Sequence, residues 1–307
     1  MFKKKITASL ILFLSFILTA CGTENSEGES NEDNGAQGDG LSITTSFSVL
    51  GDMIGEVIGD RGEVNYIVPI GEEPHEYEPV PSNFKEVSDS DVFYVNGLDL
   101  EEWLERIVSN ATETEIVELS TGVDIINLED SEDADPHGWL SPRNGIIYVE
   151  NLVEDLIERD PEGEDVYREN AEAYIEELEA LDKWIEEAVT DIPDEKRVIV
   201  VSENAFKYFG ADYGFETEGI WEMNSHEEGT TQQMNRVIDI VQERKVPAVF
   251  VESTVDKRYM ETVSDNSGVP IAGEVYTDAI GDEGSGANSY IDMIRHNAEL
   301  FVEGLKE

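Results

Sequence analysis

The chain has 307 residues, with 70 Asp and Glu against 20 Lys and Arg, and its formal net charge is −50 at pH 7. A surface of that charge repels phosphate backbones and anionic headgroups, so nucleic-acid binding is a poor functional hypothesis. Hydrophobic residues make up 39% of the chain, which is enough for folded cores, and the length predicts two domains. The single cysteine excludes an intramolecular disulfide and any metal site built from several cysteines.

The first 20 residues have the layout of a secretory signal peptide. Three lysines at positions 3–5 precede the apolar run Ile6–Leu18, which ends in small residues just before Cys21. The segment Leu18–Gly22 resembles a bacterial lipobox, in which the cysteine thiol is lipidated and becomes the first mature residue. An ordinary signal peptide or an N-terminal membrane helix is the alternative. Lipidation predicts an exported protein anchored at the outer face of the cell membrane, through the lipid on Cys21.

Residues 21–40 predict a flexible acidic tether behind the lipidated cysteine. From Gly22 to Gly40 the chain contains acids, Gly, Ser and Asn, and nothing apolar larger than Ala. Such a segment cannot bury enough apolar area to offset the entropy of ordering it. We therefore expect the folded body to begin near residue 41.

Residues 41–163 predict an N-terminal α/β lobe. Short runs rich in β-branched residues alternate with helical stretches, a pattern typical of βαβ units with a parallel sheet. The predicted strands are Ser42–Phe47, Val64–Val68 and Val92–Val95, and the predicted helices are Met53–Ile58, Asn83–Val87 and Glu101–Val108.

Residues 164–190 predict one long helix that joins two lobes. Apolar residues recur there at alternating steps of four and three, and acids cover the opposite face. The stripe consists of Tyr167, Ala171, Tyr174, Leu178, Leu181, Ile185 and Ala188. A dimeric coiled coil is the alternative. The α/β pattern on both sides favours a linking helix within one chain.

Residues 191–307 predict a C-terminal α/β lobe, again with a mostly parallel sheet flanked by helices. The predicted strands are Val198–Val201, Ala248–Val251 and Ile271–Val275, and the predicted helices are Ala205–Phe209, Lys257–Val263 and Asn288–Leu305. The predicted fold class is therefore α/β, with two such lobes joined by the long helix.

The sequence contains four histidines: His75, His137, His226 and His296. His75 and His137 share a setting, since each follows a proline and precedes an aromatic residue. The proline restricts the backbone and the aromatic side chain can exclude water, which suits a metal ligand held in one orientation. Taken alone, either histidine is more often a packed or surface imidazole than a ligand.

The chain resembles the metal-binding lipoproteins of bacterial ABC importers, the cluster A-I substrate-binding proteins for manganese, zinc or iron. Eight short motifs occur in the family's order between residue 44 and the C-terminal region. They are Thr45–Met53, Pro74–Pro79, Tyr94–Leu98, Asp135–Leu140, Ser202–Phe209, Ile220–Asn224, Phe250–Ser253 and Tyr276–Gly281. The resemblance implies two α/β lobes joined by one long helix, with the metal in the cleft between them.

The resemblance also implies a ligand set of His75, His137, Glu203 and Asp278. Glu203 stands where zinc-type members usually have a third histidine and manganese-type members have a glutamate. Without the resemblance, Glu203 would be read as an acid at the N-terminus of a helix. The remaining histidines match no ligand position, so we expect His226 at the surface and His296 in a structural or exposed place.

Two imidazoles with two carboxylates predict Mn²⁺ as the bound ion. Oxygen donors suit Mn²⁺ or Fe²⁺ better than they suit Zn²⁺, and bidentate carboxylates would exceed the four-coordination that Zn²⁺ prefers. Zinc-type members also commonly have a histidine-rich loop between the first two ligand motifs, whereas residues 100–135 contain no histidine. Zn²⁺ and Fe²⁺ remain the alternatives.

The expected function is capture of the ion and its delivery to a membrane permease driven by a separate ATPase. The expected protein is a monomer and not an enzyme. A surface adhesin is one alternative. A metal-dependent hydrolase is the other, and four protein ligands leave little room for the reacting water that it needs.

Overall fold

A computed structural model describes residues 40–101, 103, 114–223 and 229–306. Several sequence predictions fall outside this part of the chain: the signal peptide, Cys21, the tether as far as residue 39, most of the predicted helix Glu101–Val108, and His226. From Gly40 onward the chain forms a single unit in its internal contacts. The predicted boundaries between the two lobes and the linking helix stay predictions.

A parallel four-stranded sheet organises the first part of the chain. Its strands are β1 (Leu41–Phe47), β2 (Gly62–Val68), β3 (Val92–Val95) and β4 (Glu115–Glu118). The strand order is β2-β1-β3-β4, and every neighbouring pair is parallel. The two central strands are almost wholly buried. All four strands therefore point their carboxyl ends toward the same edge of the sheet.

Three helices accompany this sheet: α1 (Ser48–Ile58), α2 (Pro81–Asp89) and α3 (Pro142–Arg159). Helix α3 has a clear start signal, because the Ser141 side chain accepts the N–H of Asn144 and Pro142 occupies the first turn. The sequence prediction missed this helix, and it missed β4, whose short run begins and ends with exposed glutamates.

The predicted long helix is confirmed as α4 (Glu164–Ala188), with 25 residues. At about 1.5 Å per residue it is about 38 Å long. The buried side of α4 is the predicted stripe except for Ala188, which is half-buried: Tyr167, Ala171, Tyr174, Leu178, Leu181 and Ile185. Helix α4 packs against α1 and α3.

The second part of the chain contains two parallel strand pairs. Strand β5 (Val198–Glu203) pairs with β6 (Glu216–Trp221), and β7 (Val249–Glu252) pairs with β8 (Ile271–Val275). Strands β5 and β7 lie side by side. The flanking helices are α5 (Lys207–Tyr213), α6 (Thr231–Arg244), α7 (Arg258–Ser267) and α8 (Tyr290–Leu305). Parallel strands with flanking helices on both sides of one long helix confirm the predicted fold class.

The two parts of the chain are joined by specific contacts as well as by α4. The Tyr290 backbone N–H at the start of α8 donates to Asp52 in α1, and the Tyr290 hydroxyl donates to the carbonyl of Trp139. The Trp139 indole donates to the carbonyl of Thr277. Within the described residues, none of the helices is long and apolar enough to cross a membrane.

Candidate metal centre

Two of the four predicted ligands lie at or just after strand ends, and the two histidines lie in connecting segments. Glu203 is the last residue of β5, and Asp278 follows β8 by three positions. His75 lies in the connection between β2 and α2, and His137 directly precedes a short 3₁₀ turn (Gly138–Leu140) ahead of α3. Open α/β sheets bind ligands outside the carboxyl ends of their strands. The topology thus brings together residues that are far apart in sequence.

The donor atoms of these four side chains cluster around the two imidazole rings. The Nε2 atoms of His75 and His137 are 3.2 Å apart. Glu203 Oε1 lies 3.6 Å from Nε2 of His75 and 3.8 Å from Nε2 of His137. Asp278 Oδ1 lies 3.9 Å and 3.8 Å from the same two nitrogens. A four-coordinate ion with bonds of about 2.1 Å separates its donors by about 3.4 Å. The five separations that involve an imidazole nitrogen are therefore close to those around one divalent ion, while Glu203 and Asp278 belong to two different groups of possible ligands.

All four side chains are withdrawn from water. His137, Glu203 and Asp278 are at most 1% exposed, and His75 is 9% exposed. Two carboxylates in such a place are costly unless a cation neutralises them. A divalent cation would match their combined charge.

The His137 imidazole is fixed from behind by Asp135. Asp135 Oδ1 lies 2.9 Å from His137 Nδ1 and also accepts the His137 backbone N–H at 3.0 Å. The carboxylate accepts the proton of Nδ1, which leaves the lone pair of Nε2 facing the site. The Trp139 ring packs against the imidazole on one side.

Asp278 is oriented by two threonines. Its Oδ2 accepts the hydroxyl of Thr277 at 2.6 Å and that of Thr254 at 3.1 Å, so Oδ1 points toward the histidines. Oδ1 has no hydrogen-bond donor among the described residues. Burial raises the pKa of Asp278, although His137 and the two threonine hydroxyls oppose that rise. This buried oxygen is satisfied when a cation binds it.

The backbone of Glu203 is held by a second buried acid, Glu252, at the end of β7. Glu252 Oε1 accepts the N–H groups of Ser202 and Glu203, each at 2.7 Å. Burial raises the pKa of Glu252 to about 7, against the lowering effect of these hydrogen bonds. Glu252 thereby connects the ends of the two strand pairs.

His75 is a neutral imidazole at ordinary pH. Burial, together with the neighbouring His137, holds the pKa of His75 well below its usual value. Its backbone N–H donates to Glu73 Oε1 at 3.0 Å, and the same oxygen lies 3.9 Å from His75 Nε2. Among the described residues, both clusters of possible metal ligands contain His75: one with His137 and Glu203, the other with Glu73 and Asp278.

Sequence reasoning assigned no role to Glu73, Asp135 or Glu252. The first two had a signal in the sequence, because Glu73-Pro74-His75 and Asp135-Pro136-His137 repeat one pattern of acid, proline and histidine. In both tripeptides the acid accepts the backbone N–H of the histidine two residues later. Glu252 had no comparable signal, since only the pairing of distant strands brings it to Glu203.

The remaining histidines are separate from this cluster as far as the structure describes them. His296 lies in α8, with Nε2 2.9 Å from the carbonyl oxygen of Glu274 and its ring against Tyr276. This contact agrees with the structural role expected for His296.

Comparisons with known proteins point to one family. A family model described as "Zinc-uptake complex component A periplasmic" matches residues 43–304. The manganese-binding lipoprotein MntA of Halalkalibacterium halodurans is 56% identical over 305 residues, covering 99% of this chain and 100% of that protein. The manganese ABC transporter substrate-binding lipoprotein PsaA of Streptococcus pneumoniae is 40% identical over 316 residues, with 99% and 100% coverage.

Solved structures share the fold. A manganese-bound mutant of a periplasmic metal-binding protein from Candidatus Liberibacter asiaticus superposes with a TM-score of 0.80 at 27% identity, covering 86% of this chain and 98% of that one. The periplasmic zinc-binding protein TroA of Treponema pallidum gives a TM-score of 0.82 at 25% identity, with 87% and 99% coverage.

Proposed function

The chain belongs to the zinc-uptake complex component A family, and on that basis we propose that it is the substrate-binding lipoprotein of an ABC importer for Mn²⁺. The observation that carries the proposal is that two buried carboxylates each lie within 3.9 Å of the same two imidazole nitrogens. The proposed ligands are His75, His137, Glu203 and Asp278. The ion is the cargo, and the protein captures and releases it.

Capture exchanges the water shell of the ion for these four side chains. The two carboxylates cancel the charge of the ion and so lower the cost of moving it from water into a buried place. The preset orientations of His137 and Asp278 reduce the ordering that binding requires. Transport of this kind asks for no bond-making chemistry.

The donor set supports manganese as the physiological ion. Half of the proposed donors are carboxylates, which suit Mn²⁺ better than a set of three imidazoles does. The two curated relatives described above are named as manganese proteins. The two kinds of donor set differ at position 203, where this chain has a glutamate in place of a third histidine.

Zn²⁺ is the second candidate, and one observation favours it. The five donor separations that involve an imidazole nitrogen, 3.2–3.9 Å, are close to those of the tetrahedral arrangement that zinc prefers. Zinc also generally binds N and O sites more tightly than manganese. If Zn²⁺ binds more tightly than Mn²⁺, the choice of transported ion would depend on metal supply and on release to the permease.

The proposed location follows from the lipoprotein relatives and from the sequence of residues 1–21. Cys21 carries the lipid, residues 1–20 are removed, and the folded body is held at the outer face of the membrane. The proposed partners are a permease and its ATPase, with the protein acting as a monomer.

Metal titration of the full-length mature protein tests the proposal. After chelation, calorimetry with Mn²⁺ should give about one ion per chain, and Glu203→Ala should weaken binding by at least about 100-fold because it removes a ligand and leaves its partners incomplete. Glu179→Ala is the matched control, since Glu179 is an exposed acid on α4; its binding should equal that of the wild type.

The same variants separate the competing assignments. Stoichiometric binding of Zn²⁺ with no measurable affinity for Mn²⁺ would overturn the manganese assignment. In a deletion strain starved of manganese, growth should return with the wild-type gene and not with Glu203→Ala. Full rescue by Glu203→Ala would contradict the proposed site, because growth on scarce manganese would then not need the Glu203 carboxylate.

A further inference from the structure

A series of charged contacts runs from His137 through Asp135 and Lys207 to Glu222, directly after β6. Behind His137 lies Asp135, whose Oδ2 is 3.2 Å from Nζ of Lys207, an ion pair that falls short of hydrogen-bond geometry. Lys207 Nζ also donates to Glu222 Oε2 at 2.5 Å. The Lys207 side chain is 12% exposed, and Asp135 is fully buried. Lys207 therefore stands between the support of a proposed ligand and the end of β6.

The contacts around Lys207 join both parts of the chain. Glu222 also accepts the Asn204 side-chain amide at 3.0 Å and the backbone N–H of Glu129 at 3.0 Å. One position further along α5, the Tyr208 hydroxyl donates to the carbonyl of Asp135 at 2.8 Å. The loop that leads to His137 is thus fastened to the start of α5 and to the end of β6.

The position of Lys207 is electrostatically unfavourable for binding a cation, which indicates that this residue has a function there. A nearly buried ammonium close to a divalent-cation site repels the ion, and only 20 of the 307 residues are Lys or Arg. Lys207 contacts the far oxygen of Asp135 while His137 contacts the near one, so the carboxylate lies between the two.

We propose that Lys207 is a positioning residue for metal capture: acting through Asp135, it holds the His137 imidazole with Nε2 toward the ion and fastens the His137 loop to the second half of the molecule. This inference rests on the proposed metal-binding function and adds to it a residue that does not touch the ion. Without the Lys207 ammonium, all four proposed ligands should remain, but the His137 imidazole should be less firmly oriented.

The test compares Lys207→Met with Lys207→Arg in the full-length mature protein, with Mn²⁺ and Zn²⁺ as separate probes. Lys207→Met keeps the bulk of the side chain and removes the charge, and we expect its Mn²⁺ affinity to fall about 10- to 100-fold, mainly through faster dissociation. Lys207→Arg keeps the positive charge and should retain most of the affinity for Mn²⁺. Lys85→Met is the control, because Lys85 forms an exposed ion pair with Asp89 on α2.

A second readout separates positioning from general loosening of the fold. In metal-free protein, ¹⁵N NMR of the His137 ring should show one tautomer, protonated at Nδ1, in the wild type and in Lys207→Arg. Lys207→Met should show a mixture of tautomers, with its melting temperature still within a few degrees of the wild type.

The outcomes distinguish this inference from the proposed function. If the wild type binds neither Mn²⁺ nor Zn²⁺, the proposed function fails. If the wild type binds metal and Lys207→Met binds it equally, with an unchanged His137 tautomer, only the role of Lys207 is overturned. Equal weakening in Lys207→Met and Lys207→Arg would also overturn it, because charge would then not be the cause.

Discussion

Glu101 is a buried acid that lies outside the proposed ligand set. Its Oε1 accepts the N–H of Asn96 at 2.8 Å and its Oε2 the N–H of Gly97 at 3.2 Å. Burial nevertheless raises the pKa of Glu101 from 4.5 to about 7. The folded state therefore binds more protons than the unfolded state between these values, and the free energy of unfolding falls as the pH rises from about 4.5 to about 7.

Replacing Glu101 with Gln should remove this pH dependence. Between pH 4.5 and pH 7.5, the free energy of unfolding of Glu101→Gln should rise by about 3 kcal/mol relative to that of the wild type. The loss of the second acceptor oxygen destabilises the variant by an amount that does not vary with pH. Urea unfolding of metal-free protein at several pH values measures the difference. Glu179→Gln, at an exposed position on α4, should follow the wild-type curve. If the free energy of unfolding varies with pH in the same way for Glu101→Gln and the wild type, the pKa of Glu101 is not raised in the folded protein.

At the scale of single residues, the sequence predicted the proposed ligands but not their supports. The four ligands lie in motifs that could be matched in family order, and the structure brings their donor atoms together. Lys207 and Glu252 act through contacts across 72 and 49 positions of the chain with Asp135 and Glu203. Such contacts depend on strand pairing, which local sequence does not reveal.

Helices α3 and α8 approach each other closely at Gly145. A Cβ atom there would lie 2.6 Å from the hydroxyl of Tyr290, which donates to the carbonyl of Trp139. Gly145→Ala should therefore destabilise the protein by about 1–3 kcal/mol through overpacking in a buried place. Thermal or urea unfolding measures the change.

Gly55 provides the matched control on an exposed helical surface. A Cβ atom at this position of α1 would meet nothing within 4 Å, and alanine favours helix over glycine by about 1 kcal/mol. Gly55→Ala should leave stability unchanged or raise it. A loss for Gly55→Ala as large as that for Gly145→Ala would contradict the contact with Tyr290 as the cause.

At the scale of elements, the sequence predicted the apolar strands and the long helix and missed the polar elements. Strand β6 begins with Glu216, Thr217 and Glu218, so it lacks the apolar alternation that marks a strand. Helix α6 begins with a capping box, in which the side chains of Thr230 and Gln233 each accept the backbone N–H of the other residue. The sequence thus contains a start signal for this helix that the prediction did not use. Helix α3 likewise offered Ser141 and Pro142.

The charge of the whole molecule predicts a dependence of stability on salt. The proposed mature form lacks residues 1–20, with three lysines and no acid, so it has 17 basic and 70 acidic side chains and a net charge of −53. Only two of these acids, Glu203 and Asp278, are proposed ligands; the others repel one another, and salt screens that repulsion. The melting temperature of metal-free protein should rise by about 5 °C or more from about 0.02 M to 1 M NaCl.

A non-ionic solute is the control for the salt experiment. Sucrose at matched osmolality should stabilise less than NaCl does, because it does not screen charge. A melting temperature that does not respond to ionic strength would show that the acidic surface costs the fold little, and would leave the proposed metal site untouched.

The proposed ligands are spread over the chain at positions 75, 137, 203 and 278, and they come from four separate segments that only the folded chain brings together. A chain still being synthesised, or threaded unfolded through an export channel, has no such site. For an exported lipoprotein, the ion is therefore first acquired where folding finishes, outside the cell. The first metal bound is then set by the supply in that compartment, where Zn²⁺ would compete with Mn²⁺ by mass action.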